Sequence, residues 1–167
     1  MKKHLLFFLA VIIISSTMLR GQSRQVGLRA GYRGGLFYQM SDRAGNAEIG
    51  YNALLSFNNH GLQLTGLRII YGAELTEISP DLYLSWGYGG HFGFESLYRQ
   101  RYLDGYDYPQ RTFSPLAGID GWGSVEYRFR SIPLNISLNL KPYIELAFPS
   151  YVRFMPLDLG LSVSYVF

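Results

Sequence analysis

The C-terminal stretch Leu157-Asp158-Leu159-Gly160-Leu161-Ser162-Val163-Ser164-Tyr165-Val166-Phe167 decides the fold. Apolar side chains at 157, 159, 161, 163, 165 and 167 alternate with Asp158, Gly160, Ser162 and Ser164, a period of two. Successive side chains of a strand point to opposite faces, so this is a strand with one apolar and one polar face. The pattern recurs upstream. Leu134, Ile136, Leu138, Leu140 and Ile144 alternate with Asn135, Ser137, Asn139, Lys141, Tyr143 and Glu145. Ala117, Ile119, Val125, Tyr127 and Phe129 alternate with Gly118, Asp120, Ser124, Glu126 and Arg128. Leu82, Leu84, Trp86, Tyr88, Phe92 and Phe94 oppose Ser85, Gly87, Gly89, His91, Gly93 and Glu95. Ala47 to Phe57 and Val26 to Arg33 alternate likewise, and Leu62 to Leu75 does so with a phase change near Thr65-Gly66 that reads as a bulge.

Alternation also describes a soluble sandwich, and three features favour a transmembrane barrel. The strands run to about 10 residues, the length a tilted transmembrane strand needs, against about 5–6 in soluble sheets. Aromatic residues gather at strand ends, as at Tyr127, Phe129, Tyr165 and Phe167, where an interfacial girdle sits. The polar face carries glycines and charges of both signs, which suits a narrow interior. The expected fold is therefore all-β, an antiparallel up-and-down transmembrane β-barrel. Seven strands are plain. Single-chain bacterial barrels have an even number, so an eighth is expected within Gln25 to Met40, with a hairpin tip at Arg33-Gly34-Gly35. Arg130 to Pro133 reads as a short periplasmic turn, and Glu95 to Leu116 and Ala147 to Pro156 read as outer loops.

Composition agrees with this class. The 167 residues are 48% hydrophobic but only 16% charged, with 14 Tyr and 11 Phe. That aromatic content excludes disorder, and a single long apolar run excludes a polytopic helical membrane protein. With Cys 0 there is no disulfide, thiolate metal site or cysteine nucleophile. Met1-Lys2-Lys3-His4, then apolar Leu5 to Ile14 and a small polar segment ending at Gly21, has the layout of a cleavable signal peptide. The expected domains are thus a signal peptide over 1–21 and the barrel over 22–167, exported by the Sec route to the outer membrane of a Gram-negative envelope. Of the 15 Lys and Arg, cleavage removes Lys2, Lys3 and Arg20, leaving 12 against 12 acidic residues. The mature chain is formally neutral and has no basic run, which argues against nucleic acid as a partner.

An eight-stranded barrel is just wide enough for side chains to fill. Arg29, Arg33, Arg68, Arg128 and Lys141 are expected inside, opposite Glu48, Glu95, Asp120, Glu126, Glu145 and Asp158, as a lumen network of ion pairs; a narrow pore lined by the same charges is the alternative. Tyr98, Arg99, Arg101, Tyr102, Tyr106, Tyr108 and Arg111 are candidate ligand-binding residues of the 95–116 loop, because interfaces favour Tyr and Arg. His60 reads as a turn residue in Asn58-Asn59-His60-Gly61. His91 is the single weak catalytic candidate. Ser85 lies six residues from it on one strand, about 20 Å away, which leaves a serine of a neighbouring strand, such as Ser124, as a relay partner. No dinucleotide, phosphate-loop or zinc-protease motif is present. No cofactor, metal or enzymatic activity is expected.

The block Gly118-Ile119-Asp120-Gly121-Trp122-Gly123-Ser124-Val125-Glu126-Tyr127-Arg128-Phe129, followed by Ile132-Pro133-Leu134-Asn135-Ile136-Ser137-Leu138 and Lys141-Pro142, resembles a C-terminal pattern of small outer-membrane β-barrel proteins of Bacteroidota, broadly similar to OmpX/OmpA-type eight-stranded barrels. The C-terminal Tyr165-Val166-Phe167 resembles the aromatic end of such barrels, at the periplasmic side. The resemblance covers about the last 50 residues and implies fold and location, not a reaction. Some small outer-membrane barrels modify lipid A, so a deacylase-like use of His91 is the enzymatic alternative, although Phe92-Gly93-Phe94 departs from the deacylase pattern of His, any residue, Ser, Asn. Expected partners are outer-membrane lipid, lipopolysaccharide and, during insertion, the barrel-assembly machinery. The barrel is expected to work as a monomer, structurally in the envelope or by surface recognition.

Overall fold

The computed structural model describes residues 22–44, 47–58, 61–74, 79–103, 106–148 and 151–167. The proposed signal peptide and His60 lie outside them. Ten strands follow one another: β1 (Gln22–Gly31), β2 (Gly34–Ala44), β3 (Ala47–Asn58), β4 (Gly61–Glu74), β5 (Leu82–Leu103), β6 (Tyr106–Arg128), β7 (Leu134–Leu140), β8 (Tyr143–Ala147), β9 (Tyr151–Met155) and β10 (Leu159–Val166). Strands adjacent in sequence pair antiparallel except β7 with β8 and β9 with β10, which run end to end, and β1 pairs with β10 through Gln25↔Val166 to Gly31↔Gly160, so the sheet closes on itself. β7 and β8 both lie on β6 and form one stave. β9 and β10 form another, giving a closed eight-stranded barrel.

The hidden strand is found where parity requires it. β1 and β2 are full length, 10 and 11 residues, joined at Tyr32-Arg33. The two split staves have a physical cause. Pro142 has no N–H to give the ladder, so pairing stops at Leu140 and resumes at Tyr143, while its carbonyl accepts from Gly121 N–H at 2.8 Å. Opposite the two residues Lys141-Pro142 stand three, Pro156-Leu157-Asp158, between the pairs Tyr143↔Met155 and Leu140↔Leu159. That extra residue is a bulge, and it reverses the pleat: Val152 and Phe154 face outward before it, Leu157 and Leu159 after it. The Lys141 N–H donates to the Asp158 carbonyl at 2.9 Å and ties the bulge down.

Three expectations are corrected. Ala147 to Pro156 is not all loop, since β9 occupies 151–155. Glu95 to Leu116 is not a loop: β5 and β6 continue as a regular ladder for eight rungs beyond Glu95↔Ser114, from Ser96↔Phe113 to Leu103↔Tyr106, roughly 25 Å. Among the described residues no other strand pairs with that extension. Finally, β4 holds one phase through Thr65-Gly66, and its register shift falls at Tyr71/Ala73.

The barrel is polar inside and apolar outside. Fully or nearly buried positions are mostly Ser, Asn, Gln and charged residues, with Phe37, Leu54, Leu67 and Ile69 among the few large apolar exceptions. The outer wall exposes Leu28, Leu36, Phe92, Ile119, Leu138, Leu146, Phe154, Leu159 and Leu161. Tyr127 packs edge-on against Phe129 at 4.9 Å, and Tyr165 lies 6.4 Å from Phe167, an aromatic cluster at the end where the described chain starts at Gln22 and finishes at Phe167.

Candidate functional site: the barrel lumen

Two groups of charges fill the interior, one towards each end. In the half away from the termini, the bulge turns Asp158 inward, where it meets Arg29 at 3.1 Å, both side chains fully buried. Arg29 Nε also donates to Asn139 Oδ1 at 2.7 Å. Arg33, on the β1–β2 turn, reaches across the lumen to Glu145 at 3.3 Å and to the Gln63 amide oxygen. Lys141 Nζ donates to Asp120 Oδ1 at 2.8 Å with no solvent contact on either side chain. Arg153 binds Glu95 at 2.6 Å and Glu145 at 3.1 Å. Tyr143 packs amid these cations, its ring 5.2 Å from the Arg33 guanidinium carbon and 4.9 Å from Lys141 Nζ.

His91 sits at the centre of this group. Its Nδ1 is 2.7 Å from Asp120 Oδ2, and its Nε2 faces Glu145 Oε2 at 3.3 Å. A carboxylate at each nitrogen suits an imidazole held in place, not one activating a hydroxyl. The register excludes the relay with Ser124: His91 pairs with Gly118, while Ser124 pairs with Ser85, six residues along, about 20 Å. The ring lies against Gly118, where a Cβ would come within 2.6 Å of His91 Cε1.

The second group lies nearer the termini. Arg128 binds Glu126 at 2.6 Å and Glu48 at 3.2 Å, and its guanidinium covers the rings of Tyr83 at 4.2 Å and Tyr71 at 4.8 Å. Asn135 donates to Glu126 at 3.2 Å, and Ser164 meets Gln25 Oε1 at 2.7 Å. Between the groups, Gln39, Asn52, Ser85, Trp122 and Ser124 border a void of about 10 Å³, roughly the space of one water.

Of the expected lumen charges, Arg29, Arg33, Glu48, Asp120, Glu126, Arg128, Lys141 and Glu145 are brought into these two groups. Arg68 is not, because its side chain is exposed on the outer wall. Its neighbours Leu67 and Ile69 take the lumen instead, since position in the pleat, not polarity, sets the direction. The sequence missed Arg153, hidden in an assumed loop, and the aromatic contacts of Tyr71 and Tyr83. The hairpin candidates fall in the extended ladder, with Tyr98 paired to Arg111 and Arg101 to Tyr108. No group of His, Asp or Glu suited to a metal occurs among the described residues.

A closed eight-stranded antiparallel barrel, apolar outside and filled with paired charges, defines the class of protein. Among solved structures the chain is similar to the N-terminal β-barrel domain of Pseudomonas aeruginosa OprF, with a TM-score of 0.51 and 9% identity over 88% of this chain and 97% of that domain. At that identity the likeness concerns the fold. No family model matches the chain, and no curated protein does.

Proposed function

We propose that this chain is a non-enzymatic outer-membrane β-barrel that serves the envelope as a sealed scaffold. One observation carries the reading: the distribution of polarity is inverted, with Lys141, Asp120, Glu145 and Asp158 fully buried inside and a wall dominated by Leu, Ile, Val, Phe and Tyr outside. Water penalises that wall, whereas a bilayer solvates it, and closure of β1 on β10 answers the need of a lipid-facing sheet to pair its backbone. Ion pairs that cross the lumen favour a plug over a pore. The likeness to the OprF barrel domain supports the fold on which this rests, and the long β5–β6 extension at the opposite end supports placing the end that bears Gln22 and Phe167 in the periplasm.

The test is a gel of the refolded chain, from Gln22 onward, with and without boiling in detergent. A mobility shift on heating is expected. A chain that stays soluble in buffer and shows no shift would instead be a periplasmic β-protein. Lipid A mass spectra from cells carrying wild type and His91→Ala are expected to match; a modification lost only in the variant would restore the enzymatic alternative.

A second reading adds surface recognition by the β5–β6 hairpin. The eight-rung extension supports it, because a two-stranded ladder carries Tyr98, Arg101, Tyr108 and Arg111 beyond the rungs that other strands flank. Lipopolysaccharide, glycan or host matrix are the ligand classes this Tyr- and Arg-rich segment would suit.

A further inference from the structure

The outer wall carries a cation among apolar and aromatic side chains, Arg68. Met40, Tyr51, Arg68 and Tyr88 form one row of register partners across β2 to β5, all outward. The Arg68 guanidinium is 3.4 Å from the Tyr88 phenol oxygen and pairs with no carboxylate among the described residues. Ile70 and Trp86, a register pair, lie between it and the end bearing the termini, so it stands inside the apolar wall and not beyond it. A cation on a lipid-facing wall is costly unless an anion or the headgroup layer receives it. Tyr38, Tyr51, Trp86 and Tyr88 surround it, the residue types that settle at headgroup level.

The wall beside this row is hollow. The next row holds Tyr38, Ala53, Gly66 and Gly90, and the small side chains leave a groove of about 470 Å³ bordered by Tyr38, Tyr51, Arg68 and Tyr88. On the other side of Tyr88 lies a second groove of about 410 Å³, lined by Ile119, Gly121, Pro142, Ile144 and Phe154. Its floor follows from the gap in the ladder at Pro142. Two apolar grooves thus flank one tyrosine, with a single unneutralised cation at one side.

We propose that this is a lipid site: Arg68, assisted by the Tyr88 hydroxyl, binds the phosphate of an anionic phospholipid whose two acyl chains occupy the grooves flanking Tyr88. The charge selects an anionic headgroup, and the position towards the termini assigns the lipid to the periplasmic leaflet. The inference rests on the membrane reading above.

The experiment is native mass spectrometry of the full chain purified in detergent from membranes of an expressing Gram-negative host. Phosphatidylglycerol and phosphatidylcholine are offered separately, and heat-dependent gel mobility certifies folding of every variant. One phosphatidylglycerol per barrel is expected, bound about tenfold more tightly than phosphatidylcholine, whose choline cation offsets the phosphate charge and is repelled by Arg68. Arg68→Gln is expected to abolish the preference. Gly66→Leu, at a position where an added Cβ meets nothing within 4 Å, is expected to weaken both lipids by filling a groove. Arg130→Gln, which removes an exposed turn cation paired with Asp81, is expected to leave the preference intact. A heat-shifting Arg68→Gln barrel that still prefers phosphatidylglycerol overturns the site alone. A chain without a heat shift, soluble in buffer, overturns the membrane reading and the site together.

Discussion

Individual lumen residues are positioned by what glycine leaves open and by what a partner neutralises. Gly118 illustrates the first: a Cβ there would strike the His91 ring at 2.6 Å and the Ile144 carbonyl oxygen. Gly118→Val is expected to destabilise the barrel by about 1–3 kcal/mol through overpacking. Gly123→Val, where an added Cβ meets nothing within 4 Å, should stay within about 0.5 kcal/mol. Midpoints of urea unfolding in detergent check both. Asp120 illustrates the second, since among the described residues it alone pairs with Lys141 Nζ, and it also holds His91 Nδ1. Asp120→Ala leaves a fully buried ammonium uncompensated and is expected to cost about 3–5 kcal/mol, whereas Asp120→Ala with Lys141→Met should recover most of that loss. A double variant no more stable than the single one would show that Asp120 acts mainly through His91. The inward direction of Asp120 and Lys141 was legible from alternation. That they pair with each other was not, because they lie on different strands whose offset no local pattern records.

At the scale of elements, the interruptions matter as much as the strands. Pro142 breaks one stave, and the Pro156-Leu157-Asp158 bulge shifts the next, delivering Asp158 to Arg29. Alternation read alone saw the final strand begin at Leu157, because the bulge changes the phase there and β9 reads as unrelated sequence. The β5–β6 ladder is the opposite case. Its outer sequence mixes Tyr, Arg, Gln and Leu without a clean apolar/polar period, so it lacked the contrast that marks a membrane strand, yet the backbone pairs as far as Leu103↔Tyr106. Shortening it by joining Leu97 to Thr112, themselves register partners, through an Asn-Gly turn is expected to preserve the heat-dependent mobility shift. The junction keeps Phe113, which stacks on Phe94 at 5.3 Å. Loss of the shift would mean that the projection is part of the folding unit.

For the whole molecule, closure and filling are linked. Eight staves give an interior that side chains can occupy completely, and the two charge groups with a water-sized void between them leave no continuous channel among the described residues. Planar-bilayer recordings of the folded barrel are therefore expected to be silent. Discrete, reproducible conductance steps would mean that the plug opens and would revive the pore reading. The combined variant Arg33→Ala with Glu145→Ala removes the pair that crosses the lumen away from the termini, and is the variant in which steps should appear first.

The sequence by itself determined which face of most strands is polar and where seven strands run, properties of single strands carried by a period of two that needs no knowledge of neighbours. The eighth strand, within Gln25 to Met40, followed only when the even number of bacterial barrels was added. Only the tertiary structure decided which charges meet, that Arg68 points out while Leu67 and Ile69 point in, and that Arg153 joins the lumen. Each of those depends on register between strands and on the two sites where pairing breaks or shifts. Register is settled by the closure of the whole sheet, so residues a hundred positions apart, such as Arg29 and Asp158, become partners only when the barrel is complete.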